Sequence, residues 1–367
     1  MTNQTPKPRS VIEDLPTYKA GRSAQPVAGL IPYKLSSNEL PFPPPDELLS
    51  VIAEAGSQAS RYPDPFVSQL TSALADSLGI GSDMLALGTG GVGVCQQIVQ
   101  AFCDAGDEVI YPWRSFEAYP IICGIAGATS VPVPLDALGK HDLGSMREAV
   151  TERTRIIFVC SPNNPTGQVV ELQEFIDFMN GIPSDVLVVL DEAYIEFNLN
   201  TRVPNSLELL KQYGNLGILR TFSKAFGLAG LRVGYFIAQP AVIDAVRKTA
   251  VPFGVSIIAQ AVATKALAMS DLFAQRISQV VQKREWLEHQ FHIRNIHLEP
   301  SQGNFIWWPL GHDTDEFREL CEASALAIRP FSGEGVRITI GEPEALDRLL
   351  DVVDEFIVQH PELVSKS

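Results

Sequence analysis

The chain has 367 residues, of which 46% are hydrophobic and 19% are charged, and this composition indicates a globular protein with a large core and, from its length, about two domains. Its net charge is −15, with 43 acidic and 28 basic residues, so we expect neither nucleic acid nor a membrane as a partner. The cysteines are scattered without a C-x-x-C spacing and no apolar run approaches 18 residues, which predicts a cytoplasmic protein with reduced thiols.

The first 45 residues differ in composition from the rest of the chain. They are rich in proline and irregular, which predicts an N-terminal arm and linker lying on another part of the protein. From about residue 85, short apolar runs alternate with amphipathic segments. This alternation is typical of an α/β domain whose mainly parallel sheet is covered by helices on both faces, and we assign it to residues 46–265. The predicted strands are 84–88, 108–112, 129–135, 155–160, 186–194, 216–222 and 232–238.

The end of this domain and the segment after it show a different pattern. The last two predicted strands are too close for a long crossover, so part of the sheet is expected to be irregular or antiparallel. After about residue 265, a long helical stretch precedes two isolated strands, FIWWPL and GVRITIG, and a closing helix, EALDRLLDVVDEFIVQ. We interpret residues 266–367 as a second, smaller α+β domain.

Glycines follow the first predicted strand. Ligands of open parallel sheets gather beyond the carboxyl ends of the strands, and here Gly88, Gly90 and Gly93 fit G-x-G-x-x-G ahead of a helix. A dinucleotide site would also need an acidic residue about 20 positions on, and this chain has Tyr-Pro-Trp at the end of the next strand. The glycines therefore indicate either a plain tight turn or a phosphate bound by free N–H groups at a helix start.

Polar side chains end two later strands. Strand 155–160 leads into SPNNPTG, where the Asn164 amide could donate to a ligand oxygen, although such a turn is structural by itself. In DEAY, Asp191 closes a run of five apolar residues. An unpaired carboxylate there is costly, so we expect a cationic partner unless Asp191 only caps the next segment. Tyr194 could supply a phenol to the same pocket.

The stretch RTFSKAFGLAGLRVGY places Lys224 and Arg232 among small, apolar residues. A lysine flanked by apolar groups and another cation is disfavoured as ammonium, and its amine then becomes nucleophilic. Thr221, Ser223 and Arg232 offer two hydroxyls and a guanidinium fork that suit the oxygens of a phosphate. The alternative is a surface lysine in a loop.

Together these residues describe one ligand. It would have a phosphate, a cationic ring nitrogen, a phenolic oxygen and an aldehyde, which are the groups of pyridoxal 5′-phosphate. A Schiff-base lysine and an acidic partner of the pyridinium are the marks of sites for this cofactor. The residues expected to meet the four groups are, in that order, Gly90–Gly93 with Thr221, Ser223 and Arg232; Asp191; Asn164 with Tyr194; and Lys224.

The motif order NNPTG, DEAY, TFSKAFGLAGLRVGY and VRITIG resembles the fold-type-I aminotransferases, in the branch of the histidinol-phosphate and aromatic amino-acid aminotransferases. The resemblance runs from about Tyr18 to Gly341. It implies a large domain with a mainly parallel seven-stranded sheet sandwiched by helices, a smaller α+β domain, and a homodimer with shared active sites.

The resemblance also implies cofactor contacts that spacing alone does not. The backbone of Gly90, Gly91 and Val92 would bind the phosphate. Phe116, in WRSFEAYP, would lie against the pyridine ring. Tyr62, in RYPDP, would reach the cofactor phosphate of the other subunit.

Substrate contacts follow from the same resemblance. Arg337, in GVRITIG, would bind the anionic group of the substrate with Arg329 nearby, although either could be a surface arginine. Tyr18, in the arm, would close the substrate pocket of the partner subunit. Leu40 and Phe42 are expected to complete an apolar wall with Tyr18 and the ring-stacking phenylalanine.

The resemblance implies transamination of phenylalanine, tyrosine or tryptophan with 2-oxoglutarate. The reaction would be ping-pong through a Lys224 aldimine, with Lys224 as general base and Asp191 keeping the ring nitrogen protonated. Histidinol-phosphate transamination is the alternative. The physiological donor and acceptor, the breadth of specificity and the rate-limiting half-reaction stay open.

Three departures separate this chain from histidinol-phosphate enzymes. It has SSNELPFPPP where NENP is common, Phe116 where many relatives have tyrosine, and Gly90-Gly91-Val92 where Gly-Ser-Asp is usual. These features are closer to the aromatic branch found in actinobacteria. Histidinol phosphate has no carboxylate and brings a dianion, so it would recruit both Arg329 and Arg337.

Other protein classes explain fewer of these residues. An NAD-dependent oxidoreductase accounts only for the glycines. A metal-dependent hydrolase could use His289, His292 and His297, but they lie in a strongly polar segment without H-E-x-x-H, and we expect no metal. A cofactor-binding regulator without catalysis would need a partner surface such as a basic patch. Decarboxylases and acyl transferases share Lys224 and Asp191 with aminotransferases. Arg337 favours transamination, because the substrate keeps in that reaction the carboxylate that this arginine would bind.

Overall fold

A computed structural model describes residues 5–364 of the chain. Residues 1–4 of the predicted arm and 365–367 of the predicted small domain lie outside the described residues. The strands are β1 (Tyr33–Leu35), β2 (Leu85–Thr89), β3 (Glu108–Trp113), β4 (Thr129–Pro134), β5 (Thr154–Cys160), β6 (Leu187–Asp191), β7 (Leu216–Thr221), β8 (Val233–Ala238), β9 (Phe305–Trp308), β10 (Leu326–Phe331) and β11 (Gly335–Thr339). The α-helices are α1 (Ser10–Glu13), α2 (Asp46–Gly56), α3 (Ser68–Leu78), α4 (Gly90–Phe102), α5 (Ala118–Ala126), α6 (Leu143–Glu148), α7 (Leu172–Asn180), α8 (Ser206–Leu209), α9 (Pro240–Lys248), α10 (Ile257–Leu267), α11 (Ser270–His292), α12 (Thr314–Ala323) and α13 (Pro343–Gln359).

Strands β2 to β8 form a seven-stranded sheet in the order β2-β8-β7-β6-β5-β3-β4. The neighbours from β4 to β7 are parallel, whereas β8 runs antiparallel to both β7 and β2. β6 is buried along its whole length and β5 along nearly all of it, as expected of strands that are covered on both faces. The prediction of a mainly parallel sheet with an antiparallel part is confirmed.

Alternate side chains of this sheet enter two different hydrophobic clusters. In β5, Ile157 and Val159 pack into the cluster that includes residues of α2, α3 and α7. Ile156 and Phe158 point the other way, into the cluster that includes residues of α4, α5 and α9. Helices therefore cover both faces, and a ligand can approach only at the ends of the strands.

A second sheet has the order β1-β10-β11-β9. The two strands that were predicted as isolated are β9 and β11, and they pair with each other in this sheet. Two strands were not predicted, because β1 has only three residues and β10 contains Pro330. β1 pairs parallel with β10, so the end of the predicted arm is part of this sheet. The domain boundaries 1–45, 46–265 and 266–367 stay a prediction.

The order of the large sheet brings several chain segments to one edge. β2, β5, β6 and β7 point the same way, so their carboxyl ends lie together. β8 points the opposite way, and its first residue, Val233, pairs with Thr89 at the end of β2. The segments after β2, β5, β6 and β7 and the segment before β8 therefore meet at the same edge.

Between residues 5 and 364, no single helix has both the length and the apolar composition needed to cross a membrane. Helices α10 and α11 satisfy that criterion only as a pair, by length and composition alone, and they are bent by 84° at the break between them. Ala259, Val262 and Ala263 of α10 are buried in a core cluster of the large sheet.

Candidate active site

A pocket opens at this edge of the large sheet, between the N-terminal arm and the second sheet. Its walls come from the ends of the central strands, from arm residues 18–21 and 36–37, and from β10 and β11. Most of the site residues predicted from the sequence line it, and the exceptions are Gly90, Gly93, Leu40, Phe42 and Tyr62. Those that line it are Tyr18, Gly91, Val92, Phe116, Asn164, Asp191, Tyr194, Thr221, Ser223, Lys224, Arg232, Arg329 and Arg337.

Lys224 lies in the loop after β7, and its side chain is largely buried. Its Nζ donates hydrogen bonds to the carbonyl oxygens of Ser37, at 2.9 Å, and Asn38, at 3.3 Å. Burial disfavours the ammonium, and the positive charge of Arg337 acts in the same direction, so that the pKa of Lys224 falls to about 7. A large fraction of the amine is therefore unprotonated, and nucleophilic, near neutral pH.

Asp191 is the last residue of β6 and is only 4% exposed. Its Oδ2 accepts a hydrogen bond from the Tyr119 hydroxyl at 2.6 Å, and its Oδ1 accepts one from the Ala193 N–H at 3.1 Å. Burial raises the pKa of the carboxyl to about 6, and these hydrogen bonds oppose the rise. No basic side chain among residues 5–364 forms an ion pair with Asp191. We expected a cationic partner for Asp191 from the sequence, and no described side chain is that partner. The buried carboxylate therefore suits a cationic group of a ligand.

The corner between β2 and β7 presents donors suited to an anion. Helix α4 begins at Gly90, so its first N–H groups have no partner within the helix. Gly90 has φ +77°, and a Cβ there would lie 2.5 Å from Nη2 of Arg232, so the guanidinium packs against glycine backbone. The hydroxyls of Thr221 and Ser223 are 3.0 Å apart on the same side. Backbone N–H groups, two hydroxyls and a guanidinium are the donors that bind phosphate.

Tyr194 and Asn164 are both buried and line the pocket. The Tyr194 hydroxyl accepts a hydrogen bond from Nδ2 of Asn38 at 3.0 Å, and Asn38 is held by Thr339. Oδ1 of Asn164 accepts from Arg337, which leaves the Asn164 NH₂ group to donate elsewhere. Both side chains are therefore oriented by protein contacts before a ligand binds.

Arg329 and Arg337 are cross-strand neighbours on β10 and β11. Arg329 forms an ion pair with Glu117. Arg337 is only 7% exposed and donates to Asn164 and, at 2.6 Å, to the Ser36 carbonyl, while its Nε has no acceptor among the described residues. One guanidinium of the pair is thus neutralised by a carboxylate, and the other, which is buried, is not. A buried cation without a counterion fits an anionic ligand.

The arm lies over the pocket of its own chain, which corrects the expectation that Tyr18 closes the pocket of a partner. Tyr18 lines the pocket of the chain to which it belongs. Contacts within the chain hold the arm there: Arg9 donates to the Ile125 carbonyl at 2.6 Å, and Ser36 Oγ donates to the Arg22 carbonyl at 2.8 Å. These contacts lie on both sides of Tyr18 in the sequence and so fix its position.

The apolar wall also differs from the expectation. Phe116 and Tyr18 line the pocket, but Leu40 and Phe42 do not, and both pack against the hydrophobic cluster of the second sheet. The chain turns away at the buried Asn38, whose φ is +54°. Phe331 of β10 lines the pocket instead.

Tyr62 lies outside the pocket and is 81% exposed. Its ring contacts that of Phe253, with 4.7 Å between the centroids. The role predicted for Tyr62, a contact to the cofactor in another subunit, stays a prediction.

Besides Phe331, the residues at the site that escaped the sequence analysis include Tyr119, Glu117 and Asn38. Tyr119 and Asp191 are 72 positions apart, and Glu117 and Arg329 are 212 apart, so no local pattern pairs them. Asn38 stands in the proline-rich arm, where a single asparagine carries no signal of burial. Only the charge of Glu117 directly after the ring-stacking phenylalanine could have drawn attention to it.

Comparisons with known proteins agree with this geometry. The family described as Aminotransferase class I and II matches residues 31–353. The chain is 49% identical to an aromatic amino acid aminotransferase of Streptomyces coelicolor over 97% of its own length and 99% of the relative's, and 46% identical to one of Thermobifida fusca over 94% and 95%. A histidinol-phosphate aminotransferase of Sinorhizobium meliloti, solved in complex with pyridoxal-5′-phosphate, superimposes with a TM-score of 0.86 at 26% identity and covers 98% of this chain and 100% of that one. The chain therefore belongs to the class I and II aminotransferases, which confirms the family, the fold and the enzyme class predicted from its motifs.

Proposed function

We propose that the protein transfers the amino group of phenylalanine, tyrosine or tryptophan to 2-oxoglutarate. The observation that carries this proposal is the contrast between the two pocket arginines, since Arg337 is buried without a counterion while Arg329 is paired with Glu117. Such a pocket offers one unpaired guanidinium, which suits one carboxylate on an otherwise apolar substrate. Aromatic amino acid aminotransferases are also the relatives at 44–49% identity.

Pyridoxal 5′-phosphate is the cofactor, and the residues of the pocket fit it group by group. When bound, it supplies an aldehyde that condenses with amines and a ring that accepts the electrons of a Cα–H bond. Asp191 would hold the ring nitrogen in its cationic form, and Tyr194 with Asn164 would meet the phenolic oxygen. Arg232 and the start of α4 would hold the phosphate. Phe116 would lie against the face of the ring.

We infer that Lys224 is the residue that moves the proton. Its pKa near 7 makes it able both to accept a proton from the substrate Cα and to return one within a catalytic cycle at neutral pH. The carbonyls of Ser37 and Asn38 that accept its hydrogen bonds hold Nζ inside the pocket. We assign Lys224 as the general base on this geometry.

Substrate orientation would come from the opposite wall. Arg337 can bind both oxygens of a carboxylate, because its own acceptors are only an amide oxygen and a main-chain carbonyl. Tyr18, Phe116 and Phe331 provide rings against which an aromatic side chain can pack. Donor and acceptor would use this site in turn, which predicts ping-pong kinetics.

Histidinol phosphate is the second candidate, because a structural neighbour at 26% identity is named for it. Its phosphate would need two free guanidinium groups to balance a dianion. Glu117 opposes this by occupying Arg329 and by adding a negative charge at the same place.

The test is a comparison of kcat/KM for phenylalanine and for histidinol phosphate, each with 2-oxoglutarate as the acceptor. We expect phenylalanine to be preferred by at least about 100-fold, the scale of a lost charge-assisted contact of about 3 kcal/mol. Lys224→Ala serves as the blank, since it should lose turnover and the visible absorption of the bound cofactor. A preference for histidinol phosphate would overturn the assignment.

We also propose a cytoplasmic homodimer in which each subunit completes the other's cofactor site. Tyr62 and Phe66 are more than four-fifths exposed, the Tyr62 ring contacts that of Phe253, and Val251 and Phe253 are also exposed, so an apolar patch surrounds Tyr62. Mixing Lys224→Ala with Tyr62→Ala subunits tests the sharing: a mixed dimer would contain one site with both residues intact and would regain activity. No recovery after mixing under exchange conditions would count against shared sites.

A further inference from the structure

We propose that a divalent transition ion of the Zn²⁺ type binds near the C-terminus, outside the cofactor pocket. The ligands are Asp313, His360 and Glu362, whose ligand atoms all lie within 4.8 Å of one another. None of the three lines the cofactor pocket, so this inference does not depend on the proposed function. We expected no metal from the sequence, in which no local spacing joins Asp313, before α12, to His360, after α13.

Two helix ends bring these ligands together. Asp313 is the residue before α12, and His360 and Glu362 lie in the turn that directly follows α13. The two helices pack through Phe317 and Phe356, whose ring centroids are 5.0 Å apart. The His360 ring packs on the Phe356 ring, with 4.3 Å between the centroids. The imidazole is therefore held in place by the packing of the helices.

The imidazole of His360 is oriented as in a histidine that binds a metal. Its Nε2 lies 3.2 Å from Oε1 of Glu316. Its Nδ1 faces Oε1 of Glu362 at 3.2 Å and Oδ1 of Asp313 at 4.0 Å. A carboxylate on one ring nitrogen fixes the tautomer, so that the other nitrogen presents its lone pair to an ion. Ligand atoms of tetrahedral Zn²⁺ lie about 3.3 Å apart when the metal–ligand bonds are about 2.0 Å, so small side-chain movements suffice to form the site.

The carboxylates around Nδ1 need a cation. Asp313 is only 7% exposed, and its side chain makes no capping hydrogen bond to α12. Among residues 5–364, no lysine or arginine forms an ion pair with Asp313, Glu316 or Glu362. A proton on Nδ1 of His360 can bond to only one of the two carboxylates that face it. A divalent ion binds both and carries twice the charge, so it compensates the buried Asp313 as well.

The donor atoms select the class of ion. An imidazole nitrogen with carboxylate oxygens suits Zn²⁺ and its neighbours in the transition series, whereas Ca²⁺ and Mg²⁺ prefer oxygen ligands alone. His312 offers a second imidazole, since its Nε2 lies 3.0 Å from Oδ1 of Asp313 and its side chain is 94% exposed and free to turn. His312 or a water molecule would complete four-coordination. The bound ion would link the start of α12 to the end of α13 and stabilise the folded chain.

The experiment uses the cofactor-loaded enzyme without an affinity tag, freed of metal by dialysis against a chelator. It is titrated with ZnCl₂ in a calorimeter and with CoCl₂ in a spectrophotometer. We expect one ion per chain, the cobalt absorption of a four-coordinate site, and a melting temperature that Zn²⁺ raises by several degrees. MgCl₂ should have no such effect.

Variants identify the ligands. His360→Gln and Glu362→Gln should each weaken Zn²⁺ binding at least about tenfold, and Glu316→Gln, which frees the ring of His360, about tenfold. The matched control is His292→Gln, because His292 is exposed and its ring lies 5.2 Å from that of His297, where a surface ion could bind without a built site. The visible absorption of the bound cofactor reports that each variant is folded.

Weaker binding in the ligand variants and unchanged binding in His292→Gln would support the site. If the unmodified enzyme binds Zn²⁺ no more tightly than about 1 mM, the site is overturned, and a proton is then the cation on Nδ1 of His360. Binding that persists in both His360→Gln and Glu362→Gln, or that is lost in His292→Gln, would indicate an adventitious ion only and would also overturn it. None of these outcomes bears on the proposed function, because the ligands lie outside the cofactor pocket.

Discussion

Replacing Asp191 with asparagine should stabilise the cofactor-free protein even though it abolishes transamination. The carboxyl is 4% exposed, and burial raises its pKa from 3.8 to about 6. A carboxyl whose pKa is higher in the folded than in the unfolded state lowers stability as the pH rises from about 4 to about 6, and the loss is complete above that range. A shift of about two units corresponds to about 3 kcal/mol. Asparagine carries no charge, and it can still accept from Ala193 and donate to the Tyr119 oxygen.

The assay is the melting temperature of the cofactor-free protein at pH 4, 6 and 8. We expect Asp191→Asn and the unmodified protein to melt together at pH 4 and to separate as the pH rises, with the variant several degrees higher at pH 8. Tyr119→Phe is the matched control, because it keeps the carboxylate but removes a hydrogen bond to it, and the loss of stability with rising pH should become larger. If the variant melts no higher than the unmodified protein at pH 8, or if the difference in melting temperature does not change with pH, the view that this carboxylate lacks a counterion is refuted.

Three other outcomes follow from the same geometry. In the cofactor-free protein, acylation of Lys224 followed by mass spectrometry should show a midpoint near pH 7, and a midpoint at the much higher pH of an ordinary lysine amine would contradict this. Gly90→Ala should weaken cofactor binding at least about 100-fold, because φ is +77° and the new Cβ would lie 2.5 Å from Arg232; an unchanged fluorescence titration with the cofactor would contradict this. Arg337→Lys should lower kcat/KM for phenylalanine about 100-fold, since an ammonium cannot hold both carboxylate oxygens, and an equal loss for an amine without a carboxylate would argue against that reason.

The large sheet and the chemistry at its edge were predictable from local patterns. Strands such as β5 and β6 are short apolar runs, and strands buried on both faces must be of this kind. Because parallel strands end at a common edge, the residues after them were expected to meet, and the structure brings Asp191, Lys224 and Asn164 to one pocket. The position of these residues at the ends of predicted strands was therefore enough to predict that they share one pocket.

Partners that depend on distant packing were not predictable in the same way. The sequence around Asp191 does not predict that Tyr119 will donate a hydrogen bond to it, because the contact exists only once α5 has packed on the sheet. Likewise the side on which the arm lies is set by single contacts such as Arg9 to Ile125, and the expectation for Tyr18 was wrong for this reason. β1 and β10 escaped because three residues, or six with a proline, carry too weak a periodicity.

The charges left uncompensated in the pocket match the signs of the charges expected on the ligand. Arg232 and the start of α4 offer positive potential, Asp191 a buried negative charge and Arg337 a buried positive charge. Asp191 and Arg337 would each destabilise the folded chain alone, since burial of an unpaired charge is unfavourable. A phosphate, a ring cation and a substrate carboxylate would compensate the three in turn. Arg329 needs no such compensation from a ligand, because Glu117 already pairs with it within the protein.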